Sequence, residues 1–309
     1  MEKKALCRTS SQKKNRFKMA FHYLLLLLPA LSLARIDVKI QGDFSEIDKT
    51  VNIEFTGTDK NVLSETERKT FDLDEDTLMM NTLKFFGKRP DNVYIRSPTP
   101  FGDLYKTYNW EEVVRTLTPM QGRVLNITSE TITVASQNFE NNDSKPKTFN
   151  LGLTKHLENT VSSLWTKDGD LTVNNGINYS IRLGNATISY TSLWGLNTEK
   201  STTMLMGSND MQLILLPGQK VTTELLATKF TITLEMEYTA TIAGTVAVNY
   251  KDSFKDHHFW ALDVDEMMSD SGMASTAKSK ETIDIVFHMN PDIVVFDTMT
   301  REPMTDLIM

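Results

Sequence analysis

Cysteine is almost absent from this 309-residue chain, with Cys7 the only one. That excludes a disulfide framework and any zinc site built on paired cysteines. The five histidines, His22, His156, His257, His258 and His288, fall in no metal-ligand spacing. The one adjacent pair, His257-His258, has Asp256, Asp263 and Asp265 nearby, yet neighbouring strand residues point to opposite faces and do not reach one ion. With Phe254, Phe259 and Trp260 around them, packing is the expected role. There is no Gly-x-Ser-x-Gly elbow and no phosphate-cradling glycine loop. The acidic run Asp72, Asp74, Glu75 and Asp76 suits a solvated helix start, where negative charge meets the positive end of the helix dipole. No catalytic residue, metal or cofactor is expected, and the chain reads as non-enzymatic.

A long hydrophobic run is also missing. The longest, Tyr23 to Ala34, falls well short of the ~20 residues a membrane-spanning helix needs. Lys3, Lys4, Arg8, Lys13, Lys14, Arg16 and Lys18 precede it, and the small residues Ser32 and Ala34 close it. This is the pattern of a cleaved secretory signal over residues 1–34, and Met19 offers a second start. The expected product is secreted and extracellular. Its removal takes away seven of the 33 basic and one of the 40 acidic residues, so the net charge falls from −7 to −13. Such a surface repels nucleic acid and anionic lipid. Cys7 leaves with the signal, so sheet and core must supply the stability.

What the chain does contain is alternation. Apolar residues fill every even position from Phe230 to Ile242 and Thr or Glu every odd one. This predicts a strand of roughly 40 Å with one dry face, in a mainly β, elongated antiparallel protein of long strands. Residues 35–125 read as a small mixed α/β section. It has strands at Ile36 to Ile40 and Val51 to Phe55, a helix at Asp74 to Phe86, and a second helix at Trp110 to Leu117 capped by Asn109. Ser97-Pro-Thr-Pro-Phe-Gly102 is an extended loop between them. Tyr94, Phe101, Tyr105, Tyr108 and Trp110 crowd this loop, either as a satellite core or as a surface-recognition platform for a glycan or receptor. Residues 126–309 read as the β domain. Its expected strands include Thr131 to Val134, Thr148 to Leu153, Val161 to Trp165, Met211 to Leu216 and Val221 to Ile242. A polar linker, Ser269 to Lys280, precedes the closing strands Thr282 to Phe287 and Ile293 to Phe296.

Residues 171–190 form the most informative local pattern. Leu171, Val173, Ile177, Tyr179, Ile181 and Leu183 alternate with polar residues up to Gly184-Asn185, a two-residue hairpin turn. Folding there pairs Leu183 with Ala186, Ile181 with Ile188 and Tyr179 with Tyr190 on an apolar face. Arg182 meets Thr187, Ser180 meets Ser189 and Asn178 meets Thr191 on a polar one. Both arms are amphipathic, as in any half-buried hairpin and as in a membrane-inserting one. Four sequons, at Asn126, Asn142, Asn178 and Asn185, are N-glycosylation candidates. A glycan on Asn185 at the turn opposes passage through hydrocarbon.

The order of features resembles the pore-forming part of aerolysin-like toxins of the epsilon-toxin and mosquitocidal-toxin type. It runs from the hairpin through Thr187-Ile-Ser-Tyr-Thr-Ser-Leu-Trp194 to the turn Leu215-Leu-Pro-Gly-Gln-Lys-Val221 and the long strand. Further stretches resemble insect follicular-epithelium yolk proteins and spherulin-like relatives of that fold more closely: Ser97 to Trp110, Leu117-Thr-Pro119, Ala247-Val-Asn-Tyr250 and His257-His-Phe-Trp-Ala-Leu262. The resemblance implies secretion, a homo-oligomer and no enzymatic role. Two functions follow: a structural egg or matrix protein, the expected one, and a pore-forming toxin or defence protein that binds a glycan or membrane receptor, oligomerises on membranes and inserts the hairpin, the alternative. No nucleic-acid partner is expected.

Overall fold

The computed structural model describes residues 35–44, 49–166, 176–184, 186–193 and 195–304, all within the unit Leu33–Met309. The described chain opens with β1 (Ile36–Phe44), β2 (Lys49–Thr56) and β3 (Asp59–Val62), followed by helices α1 (Glu65–Thr70) and α2 (Glu75–Phe86). After β4 (Asn92–Tyr94) and helix α3 (Pro100–Tyr108) come β5 (Val114–Glu140), β6 (Lys147–Trp165), β7 (Ile177–Leu183) and β8 (Ala186–Ser192). The remainder is β9 (Thr198–Leu215), β10 (Lys220–Ala243), β11 (Thr245–Phe254), β12 (His257–Asp263), helix α4 (Val264–Asp270) and β13 (Thr276–Asp297).

The expected long strand is the 24-residue β10, and every even position from Phe230 to Ile242 is at most 4% exposed. It lies between β5 and β13, antiparallel to both, in a six-stranded sheet ordered β3-β5-β10-β13-β6-β9. Its odd positions face solvent. There Lys280 reaches Glu235 (3.1 Å) and Glu237 (2.9 Å), and holds both carboxyls below the usual range. The dry face packs under a second sheet, β2-β1-β7-β8, with Phe44 against Phe230 (5.0 Å) and Phe287 (5.2 Å). A small third sheet, β12-β11-β4, joins α2 and α4 at one end of this core.

Local chemistry explains most boundaries. Asp74 caps α2, its side chain accepting from the Thr77 amide (2.9 Å), and Gly87 ends the helix in the left-handed region. These hydrogen bonds also lower the Asp74 pKa.

The structure corrects several expectations. Trp110 to Leu117 is not a helix: Asn109 closes α3 with φ 53°, and β5 begins at Val114. Val113, Arg115 and Leu117 are buried in alternation, so β-branched residues and a partner strand outweigh the helical spacing. The loop at 97–102 gives way to α3 from Pro100, kinked by positive φ at Phe101, Gly102 and Asp103. The polar linker up to Lys280 is half strand: β13 runs unbroken from Thr276 to Asp297, antiparallel to β10. Likewise Thr148 to Leu153 and Val161 to Trp165 are one strand, β6, because pairing with β9 carries the polar stretch between them. β5 passes residue 125 as a single strand.

Candidate functional site

The hairpin β7–β8 has the register its alternation predicts: Tyr179↔Tyr190, Ile181↔Ile188 and Leu183↔Ala186 on one face, Asn178↔Thr191, Ser180↔Ser189 and Arg182↔Thr187 on the other. The apolar face is turned inward, and Ile177, Tyr179, Ile181, Leu183, Ile188 and Tyr190 are all buried. Leu171, Val173 and Asn185 lie outside the described residues.

The hairpin occupies the connection between two strands that pair with each other. β6 and β9 form an antiparallel ladder ending at Ser163↔Thr198, and the chain between them folds back over the sheet as β7–β8. At its turn, Gly184 has φ 56°, its amide donates to the Gly42 carbonyl (3.1 Å), and a Cβ there would stand 2.3 Å from Met289 Cε. Along β7 the hairpin is held by β1 in parallel pairing, from Ile36↔Ile177 to Gly42↔Leu183.

Near its base the hairpin is clasped by a buried polar cluster. Glu281 of β13 is 0% exposed. Its carboxylate accepts from Ser163 Oγ of β6 (2.6 Å), from Ser192 Oγ of β8 and from the Tyr179 hydroxyl of β7. The Tyr179 and Tyr238 hydroxyls are 2.7 Å apart, which ties in β10. Five strands thus meet at one carboxyl. Burial raises its pKa, and the hydroxyl donors pull against that rise. Burial likewise pushes the Tyr179 and Tyr238 phenols well up, so neither ionises beside it. Nothing in the sequence pattern singled out Glu281. The one available signal was an acidic residue at an inward position of the alternating run Ala277, Ser279, Glu281, Ile283.

The aromatic platform divides. Tyr105 is 3% exposed, and its hydroxyl donates toward the Tyr94 carbonyl (2.8 Å) and the Thr245 carbonyl (2.9 Å). It is therefore removed from the expected recognition surface, because its polar end is spent on joining β4 to β11. Phe101 and Tyr108 are exposed at 56% and 48%, Tyr108 stacks on Trp110 (4.8 Å), and Phe101 meets Phe259 (5.3 Å). A cleft of about 660 Å³ lies beside Phe101 and Phe259, with Asp91, Asn92, Lys251 and His258 on its walls. Tyr94 is half-buried behind it. His257 packs edge-on to Trp260 (5.1 Å) and His258 Nδ1 lies 2.8 Å from the Tyr250 carbonyl. Among the described residues no three acidic, His or Cys side chains gather as a metal site, and no helix is long and apolar enough to cross a membrane.

The sequons are dispersed. Asn126 is exposed on β5 opposite Thr233, Asn142 is exposed just after β5, and Asn178 is half-buried, its side-chain amide donating to Thr191 Oγ1 (3.1 Å).

No known family profile matches the chain. U-megalopygitoxin(8)-Mo12 of Megalopyge opercularis is 33% identical over 284 residues, covering 90% of this chain and 98% of the relative. U-megalopygitoxin(8)-Mc8 of Megalopyge crispata is 34% identical over 290 residues, covering 92% and 100%. Among solved structures, the parasporin-2 toxin of Bacillus thuringiensis, described as recognizing cancer cells, superposes with a TM-score of 0.64 at 12% identity, over 77% of this chain and 97% of its own. The mainly β, antiparallel aerolysin-like fold expected from the sequence is thereby established. The closer likeness to yolk and spherulin-like proteins finds no support, and the toxin reading gains it.

Proposed function

This chain belongs to the U-megalopygitoxin(8) family, and from that premise we propose that it is a secreted, non-enzymatic toxin that permeabilises membranes by moving its β7–β8 hairpin. One observation carries the reading: an amphipathic hairpin, folded back from the open end of the β6–β9 ladder and held there partly by a buried polar cluster. The toxin fold of parasporin-2 supports it.

Swinging the hairpin outward extends the ladder. β7 and β8 have seven residues each, fewer than the about nine to eleven a tilted membrane strand needs. The spanning unit therefore takes in the flanking chain toward β6 and β9, with Ile177, Tyr179, Ile181, Leu183, Ile188 and Tyr190 facing lipid. The seam that parts is β1–β7, a parallel pairing and so the weaker kind. Closure into a barrel requires several copies, because one hairpin leaves two open edges. We assign the first encounter with a target to the cleft beside Phe101 and Phe259, whose aromatic and amide walls suit a glycan or membrane receptor.

A staple tests the reading. Lys39 and Ser180 are paired positions of β1 and β7 and both are exposed, so Lys39→Cys with Ser180→Cys permits a disulfide across the seam. Dye release from phosphatidylcholine vesicles, before and after limited proteolysis, is expected to be blocked when the staple is oxidised and restored by reductant. Equal release in both states, or none from the unstapled protein, sinks the proposal.

A further inference from the structure

We infer that the Glu281 carboxyl is a proton-operated clasp on the β7–β8 hairpin, securing both arms to the scaffold sheet when protonated and loosening them when ionised. This rests on the reading of that hairpin as the mobile element.

The placement is specific. One hairpin donor comes from each arm, Tyr179 on β7 and Ser192 on β8, and both end on the same carboxyl. The other ties belong to strands that stay behind, Ser163 on β6 and Tyr238 on β10 through Tyr179. Among the described residues no other acidic or basic side chain joins the cluster. Lys280, next in sequence, points to the opposite face and pairs with Glu235 and Glu237. Among the described residues no cation pairs with Glu281. Its charge is thus balanced by hydroxyls alone, an arrangement that satisfies hydrogen bonding while leaving the cost of burying a negative charge.

The titratable groups facing it from the surrounding elements are Tyr179 of β7, Tyr190 of β8 and Tyr238 of β10. Burial raises all three phenols above the ordinary tyrosine value, so at neutral pH and below they stay neutral donors. Glu199 of β9 is the other carboxylate in this region and acts on Tyr190.

The direction follows from linkage. With the hairpin docked, burial holds the Glu281 pKa above 4.5; with the hairpin gone, the carboxyl faces water and returns toward that ordinary value. Docking therefore takes up a proton in the window between the two. The docked state is most secure below the ordinary value, weakens as pH rises through the raised one, and stays weakened above it. The docking equilibrium changes by at most about tenfold per pH unit inside that window.

Amide hydrogen exchange of the full protein reads this directly. Protection of the β7 and β8 amides is compared between the unmodified protein and Glu281→Gln from about pH 4 to about pH 8, since a neutral isostere does not titrate. Intrinsic exchange varies identically in both proteins and cancels in their ratio. The expected result is equal hairpin protection at the acid end and progressively greater protection in Glu281→Gln as pH rises, with β10 amides unchanged. A ratio flat with pH, or one moving the other way, overturns the clasp. Should Glu281→Gln not fold, Tyr179→Phe removes one hairpin donor and keeps the ring. It is expected to lower hairpin protection at every pH and to retain the fall toward alkali; a flat profile is again fatal. If β7 and β8 exchange only together with β10, the hairpin has no motion of its own and the proposed function falls too. If they open independently with no pH-dependent ratio, the clasp alone falls.

Discussion

Among the described residues Arg115 is the largest fully buried side chain, and it is held by two acids nearly as deeply buried as itself. Its guanidinium meets Asp59 at 2.5 Å and Glu67 at 3.0 Å, with side chains 0%, 1% and 2% exposed. The triad joins β3, α1 and β5. Removing the cation leaves two buried carboxylates without a counter-charge, so Arg115→Met is expected to cost about 3–5 kcal/mol in urea unfolding. Arg115→Lys should rescue little, because one ammonium does not reproduce a planar fork aimed at two acids. A loss below about 1 kcal/mol would show the triad to be dispensable. None of this was legible in the sequence. The partners are 56 and 48 residues from Arg115, and the segment carrying it was expected to be helical. Glu281 went unread for the same reason: charge and strand periodicity do not reveal which buried partners await an inward-facing acid.

Elements were easier to read than contacts. The alternation from Phe230 to Ile242 and that of the hairpin are local signals that the fold leaves untouched, and the hairpin's register follows from its own. Gly184 shows what the hairpin demands of its turn: positive φ, and room for Met289 against the tip. Gly184→Ala is expected to cost about 1–2 kcal/mol from the left-handed backbone alone. The loss should appear first as faster exchange of β7 and β8 amides, with β10 spared. Uniform loosening of both sheets would mean the turn supports the whole core. Elements failed where local and distant preferences disagreed. Trp110 to Leu117 has helical spacing, yet Val114 and Arg115 enter strand pairing with β10 and β3. The polar residues before Glu281 resemble a linker, yet β10 supplies a partner for each position from Thr276 to Lys280.

At the scale of the whole molecule, charge governs which membrane is approached. If the signal expected over residues 1–34 is cleaved, the remaining chain near −13 is repelled by anionic headgroups, and release at low ionic strength is then expected to be greater from phosphatidylcholine vesicles than from vesicles containing phosphatidylserine. The gap should close at about 1 M salt, where the Debye length falls to about 3 Å. Preference for the anionic vesicles would instead point to a local basic contact surface. The sequence by itself determined the fold class, the long central strand, the hairpin and its register, because these depend on side-chain alternation along one segment. The tertiary structure alone decided that the hairpin is folded back from the β6–β9 ladder and clasped at Glu281. It also decided that Arg115 is buried and that Tyr105 leaves the aromatic surface. Each of those depends on strands far apart in the chain meeting at one point, and a local pattern carries no record of such a meeting.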